Sequence, residues 1–191
     1  MNARKLLPFA VALMGALTLQ TGAHAASLNS NAPTVALNAT LGESLTVASG
    51  ASTVNFTLQN GVTVNGSTAV PITTSWVLGP NRTSVKLYGF FASSTAALTD
   101  GFTTPDNIPS SAVLGGVSSS SAAPTSFAAF TQTSPFNAAS AGLLLVNQTI
   151  SASSANFVGT RTDNLSLEIA TPAALPAGTY TGVLTLEAQA N

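Results

Sequence analysis

The sequence predicts an all-β fold, an antiparallel immunoglobulin-like β-sandwich of about eight or nine strands. Apolar and polar residues alternate with a period of two in many short stretches, which places each set on one face of a sheet. Glycine, proline and asparagine recur at short intervals between these stretches and mark turns. No stretch after the first 25 residues shows a convincing helical pattern. Together these observations favour a sandwich over a helical or mixed fold.

The first 25 residues have the layout of a secretory signal peptide. Arg4 and Lys5 precede a short apolar run over residues 6–19, and Ala23-His24-Ala25 forms a small-x-small cleavage site. The run is shorter than the roughly 20 apolar residues that a membrane span needs. We therefore predict a cleaved signal peptide at 1–25 and one sandwich domain at 26–191. The sequence then predicts no membrane span after cleavage and a secreted protein, in the periplasm or at the cell surface.

Several classes of chemistry lack their residues in the mature chain. The only histidine, His24, leaves with the signal peptide, and the sequence contains no cysteine. Nucleophilic catalysis by Ser–His or Cys–His pairs and zinc sites built on these residues are therefore excluded. Six acidic and three basic residues remain, so no basic patch exists for nucleic acid. We predict a protein that is not an enzyme, has no cofactor and does not bind nucleic acid.

The acidic residues do not form an obvious site either. Asp100 and Asp106 share a loop, but their spacing matches no calcium-binding loop with alternating ligands and a fixed glycine. Asp163 and Glu168 have opposite parity along one strand, so they are expected to face opposite sides of the sheet. We therefore predict no catalytic residue and no metal site.

The first half of the mature chain contains six alternating stretches that predict strands. They cover residues 34–41, 45–47, 53–58, 62–64, 72–78 and 85–91. Asn60-Gly61 and Asn65-Gly66 each predict a type I′ hairpin turn, because both residue types tolerate positive φ. Trp76, the only tryptophan, lies on the apolar parity of its strand and is predicted to be in the core.

The second half begins with a weaker pattern. Residues 93–140 are rich in serine, glycine and proline and predict long loops with one or two short strands. A compact domain rarely contains a structureless loop of this length, so part of the segment must pack against the rest of the domain. The side chains expected to anchor it there are Phe102, Phe127, Phe130 and Phe136. Strand structure resumes around residues 143–150. Two further strands, near 163–169 and 180–189, are separated by a segment whose prolines and glycine end each strand.

This closing pair resembles a known group of proteins. Residues 163–167 read Asp-Asn-Leu-Ser-Leu, and residues 175–186 read Leu-Pro-Ala-Gly-Thr-Tyr-Thr-Gly-Val-Leu-Thr-Leu. About thirty residues are thus similar to the end of the spore coat protein U and pilin-like families, secreted bacterial β-sandwich proteins. The resemblance implies an immunoglobulin-like fold and a role in surface structures or fimbriae. The cysteines that are common in those families are absent here.

Two functions of different kinds follow from these patterns. In the first, the chain is a structural or adhesive surface protein that self-assembles when one subunit donates a strand to the open sheet of the next. The alternating residues Val35, Leu37, Ala39 and Leu41 are the candidate donors, unless they form the molecule's own first strand. In the second, a monomeric module binds a surface glycan through aromatic side chains. Tyr88 and Phe90, two residues apart on one parity, are the candidates for that contact unless they face a buried side.

Overall fold

The computed structural model describes residues 31–102, 104, 106–119, 122–131 and 142–191, so the predicted signal peptide lies outside the described residues. The chain divides into two compact units, 1–39 and 40–191. The described residues of the first unit, 31–39, belong to no strand. The described residues of the second unit form eleven strands: β1 (Ser44–Ser49), β2 (Thr63–Asn65), β3 (Val70–Val77), β4 (Ser84–Phe90), β5 (Leu98–Thr99), β6 (Asn107–Ile108), β7 (Val113–Ser118), β8 (Ala128–Ala129), β9 (Leu143–Thr149), β10 (Val158–Ala170) and β11 (Thr185–Ala190). Two short 3-10 helices, at Ser110–Ala112 and Ala152–Ser154, complete the described secondary structure.

The strands form two main antiparallel sheets and one small hairpin. In the first sheet the order is β1-β3-β10-β7-β8, and β2 also pairs with β10. The second sheet has the order β11-β4-β9, while β5 and β6 pair with each other. The chain crosses from the first sheet to the second between β3 and β4. The all-β sandwich class is therefore confirmed, with more strands than the sequence predicted.

Side chains from both sheets meet in one interior. Alternation along β3 turns Val70 and Ile72 inward, and alternation along β10 turns Leu165 inward. These residues pack against Leu87 of β4 in the second sheet. Each such side chain stabilises the fold by about 1.5–3 kcal/mol through apolar burial. Sheet-to-sheet packing of this kind is why the period of two in the sequence predicts the class correctly.

Trp76 is buried at one end of the sandwich, which confirms its predicted place in the core. It packs with Leu78, Val85 and Ile150. Its indole N–H donates a hydrogen bond to the carbonyl of Asn156 (2.9 Å). The polar edge of the ring is therefore satisfied inside an apolar cluster, as buried tryptophans require.

Several predicted local structures differ. The stretches at 34–41 and 53–58 alternate as expected, yet neither is assigned as a strand. The turn at Asn60-Gly61 has positive φ only at the glycine (71°), and the Val62 N–H bonds to the Gln59 carbonyl (3.0 Å). That is the type II pattern, not type I′. Asn65 ends β2 rather than forming a turn, so the second type I′ prediction is also wrong.

The 93–140 segment contains more sheet than the sequence predicted, since β5, β6, β7 and β8 all lie within it. The longest of these strands, β7, pairs with β10 along its whole length, and Gly115 and Gly116 in its middle interrupt the apolar pattern of its sequence. Phe130 is fully buried and meets Phe91 edge to face, which confirms one anchor. Phe102 is 70% exposed, so that prediction is wrong; Phe127 is half-buried, and Phe136 lies outside the described residues.

The outer face of the first sheet is rich in hydroxyl groups. Thr73 and Thr162 are cross-strand neighbours whose hydroxyls lie 3.2 Å apart. In the adjacent row the hydroxyls of Ser75 and Thr160 are 2.9 Å apart, and Thr46 continues that row into β1. Cross-strand hydroxyl pairs of this kind are a recognised source of sheet stability. The result is a polar surface without charge in these rows.

Candidate functional site

An open groove of about 1140 Å³ runs between the two sheets of the second unit, and we name it the edge groove. Its floor contains inward-facing residues of β10 (Leu165, Leu167 and Ile169) together with Val70 and Val113, and all of these except Leu167 are buried. This volume exceeds the roughly 300–1,000 Å³ that is usual for a small-molecule pocket. The edge groove is therefore large enough for a segment of polypeptide.

One wall of the edge groove is the segment 51–58, which follows β1. Val54, Phe56 and Leu58 are half-buried, and the residues between them are exposed, as in a strand with one face inward. Within the described chain, no strand pairs with this segment. Its one backbone-to-backbone hydrogen bond there runs from the Ser67 N–H to the Asn55 carbonyl (2.8 Å). The wall therefore has the side-chain pattern of a strand without a ladder partner.

The opposite wall is the segment 177–184, which leads into β11. Its described backbone pairing is a single bridge in which Thr181 and Thr99 exchange two hydrogen bonds of 2.9 Å. Val183 is exposed, whereas Leu184 is half-buried towards the groove. β11 pairs only with β4 among the described strands. Within the described part of the chain, its other edge therefore has N–H and C=O groups without a ladder partner, as edge strands do.

Tyr180 stands on this same wall. Its hydroxyl donates to the Pro176 carbonyl (2.9 Å). Desolvation raises the pKa of Tyr180, and the negative charges of Asp106 and Asp100 raise it further. The phenol is therefore neutral at ordinary pH and serves to hold the turn, with its ring towards the groove.

The chemistry of the edge groove follows from these walls and this floor. An apolar floor takes side chains, while strand-like walls with few backbone partners take main-chain hydrogen bonds. An extended peptide with apolar residues at every second position matches both requirements. No group of three or more metal-ligating side chains occurs among the described residues.

The candidate strand donors lie outside any described strand pairing. Val35, Leu37 and Leu41 are exposed by 80%, 91% and 83%, and Ala39 is exposed as well. Large apolar side chains at alternate positions are here open to solvent. Such a segment has the pattern of a strand whose partner is missing.

The candidate aromatic pair lies on the outer side of the second sheet. Tyr88 is half-buried and stands opposite Glu187 of β11. Phe90 retains only 9% exposure and stands opposite Thr185. Most of the ring area that remains for stacking on a sugar therefore belongs to Tyr88.

The acidic residues occupy separate places. Asp163 faces the interior and is 2% exposed, whereas Glu168 has the opposite parity, as the sequence predicted. Arg161 binds Asp163 in bidentate geometry, with both N···O distances at 2.7 Å. The Arg161 guanidinium also donates to Gln148 of the second sheet (3.1 Å). Asp163 raises the pKa of Arg161 through these hydrogen bonds, so this polar cluster ties the two sheets together.

A second ion pair closes one end of the sandwich. The Glu43 carboxylate accepts hydrogen bonds from the Gly79 N–H (2.6 Å) and from two nitrogens of Arg82 (3.1 and 2.8 Å). Arg82 also donates to the Ala190 carbonyl (3.2 Å). Hydrogen bonding from Arg82 and then from Gly79 lowers the pKa of Glu43 from 4.5 to about 2. We name this arrangement the Glu43–Arg82 clasp.

The described structure thus defines an antiparallel β-sandwich with an open groove along one side. Comparison with protein-family models, with curated proteins and with solved structures finds no match for this chain. Within the described residues, no helix has the length and apolar character needed to cross a membrane.

The candidate donor segment is visible in the sequence, whereas the edge groove is not. The edge groove combines residues that are more than a hundred positions apart, such as Val54 and Leu184, so no local pattern predicts it. One signal did exist. The sequence contains two alternating stretches near its start, 34–41 and 53–58. If a sandwich has no partner strands for these stretches, the sheet edges that they would have covered stay open.

Proposed function

We propose that this protein is a secreted, non-enzymatic surface or structural protein, a pilin-like or fimbrial subunit or adhesin that self-assembles by strand donation. Residues 35–41 of one copy enter the edge groove of the next. The observation that carries the proposal is that an open groove and an exposed, alternating apolar segment occur in the same chain. The resemblance of residues 163–186 to pilin-like families supports the same function.

The spacing of the apolar side chains supports this proposal. Residues 35–41 span roughly 20 Å when extended at about 3.3 Å per residue. Their apolar side chains repeat every second residue, as do Leu165, Leu167 and Ile169 on the groove floor. The donated side chains and the floor therefore share one spacing.

Stable binding of residues 35–41 requires both the burial of their side chains and hydrogen bonds from their backbone. Burying Val35, Leu37 and Leu41 contributes roughly 5–9 kcal/mol, at about 1.5–3 kcal/mol for each side chain. Ordering seven residues of backbone costs about 1–2 kcal/mol each. Main-chain hydrogen bonds to the walls, at about 0.5–1.5 kcal/mol each, must therefore contribute for binding to be stable. An extended strand supplies both, whereas a compact apolar ligand does not.

The proposed interface joins two different surfaces, a segment and a groove. Such a heterologous contact repeats from copy to copy and leads to an open chain of subunits unless the rotation closes a ring. A series of sizes in solution is therefore the expected form of the protein.

Light scattering after size-exclusion chromatography of residues 26–191 tests the proposal. We expect a ladder of masses that collapses to a monomer when residues 26–41 are deleted. Leu37→Asp should abolish the ladder, because it places a charge on the apolar parity. Asn38→Asp, the matched control, adds the same charge on the opposite parity and should preserve it.

A sharp monomer with residues 35–41 intact would contradict strand donation. The alternative is a monomeric module that binds carbohydrate or another surface, with Tyr88 as its aromatic contact. Binding of the monomer to immobilised polysaccharide, lost in Tyr88→Ala, would then support that second function.

A further inference from the structure

We propose that the Glu43–Arg82 clasp positions the chain so that residues 35–41 go to a second copy and do not return to their own edge groove. This inference rests on the proposed function, because it concerns which groove the segment fills. It assigns a positioning role to an ion pair that is only two residues from Leu41.

The clasp fixes the place where the chain enters the sandwich. Glu43 directly precedes β1, the edge strand of the first sheet. Its carboxylate is held by the turn that crosses between the sheets, at Gly79 and Arg82, and Arg82 reaches the end of β11 at Ala190. The turn between the sheets therefore holds the Glu43 carboxylate through Gly79 and Arg82, and Arg82 links this contact to the end of β11.

For residues 35–41 to enter the groove of their own molecule, the chain would have to reverse its direction next to Glu43. Residues 35–41 would have to run antiparallel along the free edge of β1, joined to it by a tight turn. A two-residue turn at Gly42-Glu43 would set Leu41 and Leu37 opposite Ser44 and Ala48. Those β1 residues are exposed and face outward, so this register would direct the apolar side chains into water.

The shortest turn that directs them inward contains three residues, 41–43. It would place Leu37 opposite Val47, which lines the edge groove. Three-residue hairpin turns commonly place their last residue in the left-handed region, and here that residue is Glu43. Among the described non-glycine residues only Ala155 has positive φ, so Glu43 does not adopt that conformation in the structure. Self-insertion would thus require Glu43 to change its backbone and to leave the clasp.

Two substitutions at Glu43 separate the effect of its carboxylate from the effect of its backbone preference. Glu43→Ala removes the carboxylate but keeps the ordinary preference against positive φ. Glu43→Gly removes the carboxylate and also permits the left-handed turn. Each variant of residues 26–191 is measured by light scattering over a concentration series. Hydrogen exchange of amides 35–41 is followed in the monomer peak.

For Glu43→Gly we expect at least a tenfold lower assembled fraction at equal concentration, with amides 35–41 protected in the monomer. Glu43→Ala should lie between this variant and the unsubstituted chain. Assembly of Glu43→Gly equal to that of the unsubstituted chain would overturn the inference. So would a Glu43→Gly monomer whose amides 35–41 exchange freely, since that result shows that the segment has not entered the groove of its own molecule.

The exchange measurement also separates this inference from the proposed function. If the unsubstituted chain stays monomeric, strand donation fails as the function. Protection of amides 35–41 in Glu43→Gly but not in the unsubstituted monomer would still support the role of the clasp. Equal exchange in both monomers would overturn the two proposals together.

Discussion

Replacing Asp163 by Asn tests the buried ion pair that links the sheets. Asp163 is 2% exposed and takes two hydrogen bonds of 2.7 Å from Arg161. The substitution keeps the shape and removes the charge, so the Arg161 guanidinium loses its counter-ion. Breaking one side of a buried pair costs about 3–5 kcal/mol. The Arg161 side chain is 33% exposed, and partial hydration puts our expectation near the lower end, about 3 kcal/mol.

Urea denaturation at neutral pH measures this loss through the fluorescence of Trp76, the only tryptophan. The matched control is the double variant Arg161→Met with Asp163→Leu. It replaces both charges by apolar groups, and we expect it to lie within about 1 kcal/mol of the unsubstituted chain or above it. A loss below about 1 kcal/mol for Asp163→Asn would refute the reasoning, since exposed pairs contribute only that much.

Two further expectations concern a glycine and the clasp. Gly115→Ala should destabilise the fold by about 1–3 kcal/mol, because its Cβ would lie 2.7 Å from the Phe130 ring. Gly42→Ala, whose Cβ would meet nothing within 4 Å, should leave the thermal midpoint unchanged, and equal midpoints for both variants would contradict this packing. The lowered pKa of Glu43, about 2 against 4.5, gives stability that is complete above about pH 5 and lost as the pH falls towards 2. The urea midpoint should therefore change less between pH 7 and pH 3 in Glu43→Gln than in the unsubstituted chain. An equal change in both proteins would argue against the clasp.

The sequence predicts the centre of the fold well because burial there follows the period of two. β3 and β10 alternate along their length, and β4 does so until Phe90 and Phe91, which are both buried. Alternation reports which face a side chain takes, and in a two-sheet sandwich that is enough to define the class.

Alternation does not report a partner, and this explains the two strands that are missing. Residues 34–41 and 53–58 have the same pattern as β3 but no ladder in the described chain. β7 shows the converse case. Gly115 lies within its ladder, and the space that a side chain there would fill is occupied by the Phe130 ring. A residue that the strand needs for packing is therefore one that contributes no apolar signal to the sequence. Both differences depend on tertiary contacts and not on local propensity.

The candidate site could be predicted only in part for the same reason. The candidate donor residues lie at alternate positions of one short stretch, 35–41, and their pattern is visible by inspection. The edge groove exists because β1 and β11 end two different sheets side by side, which is a property of the topology. The Glu43–Arg82 clasp likewise joins residues 39 positions apart, and no spacing rule would connect them.

The hydroxyl rows on the first sheet have a consequence for the setting in which the protein acts. Side chains such as Thr73, Ser75, Thr160 and Thr162 carry no charge, so they neither titrate nor attract counter-ions. The pattern of donors and acceptors on this face is therefore the same in acid and alkaline water, and at low and high salinity. In any medium whose acidity or salinity varies, such a surface presents neighbouring molecules with constant chemistry.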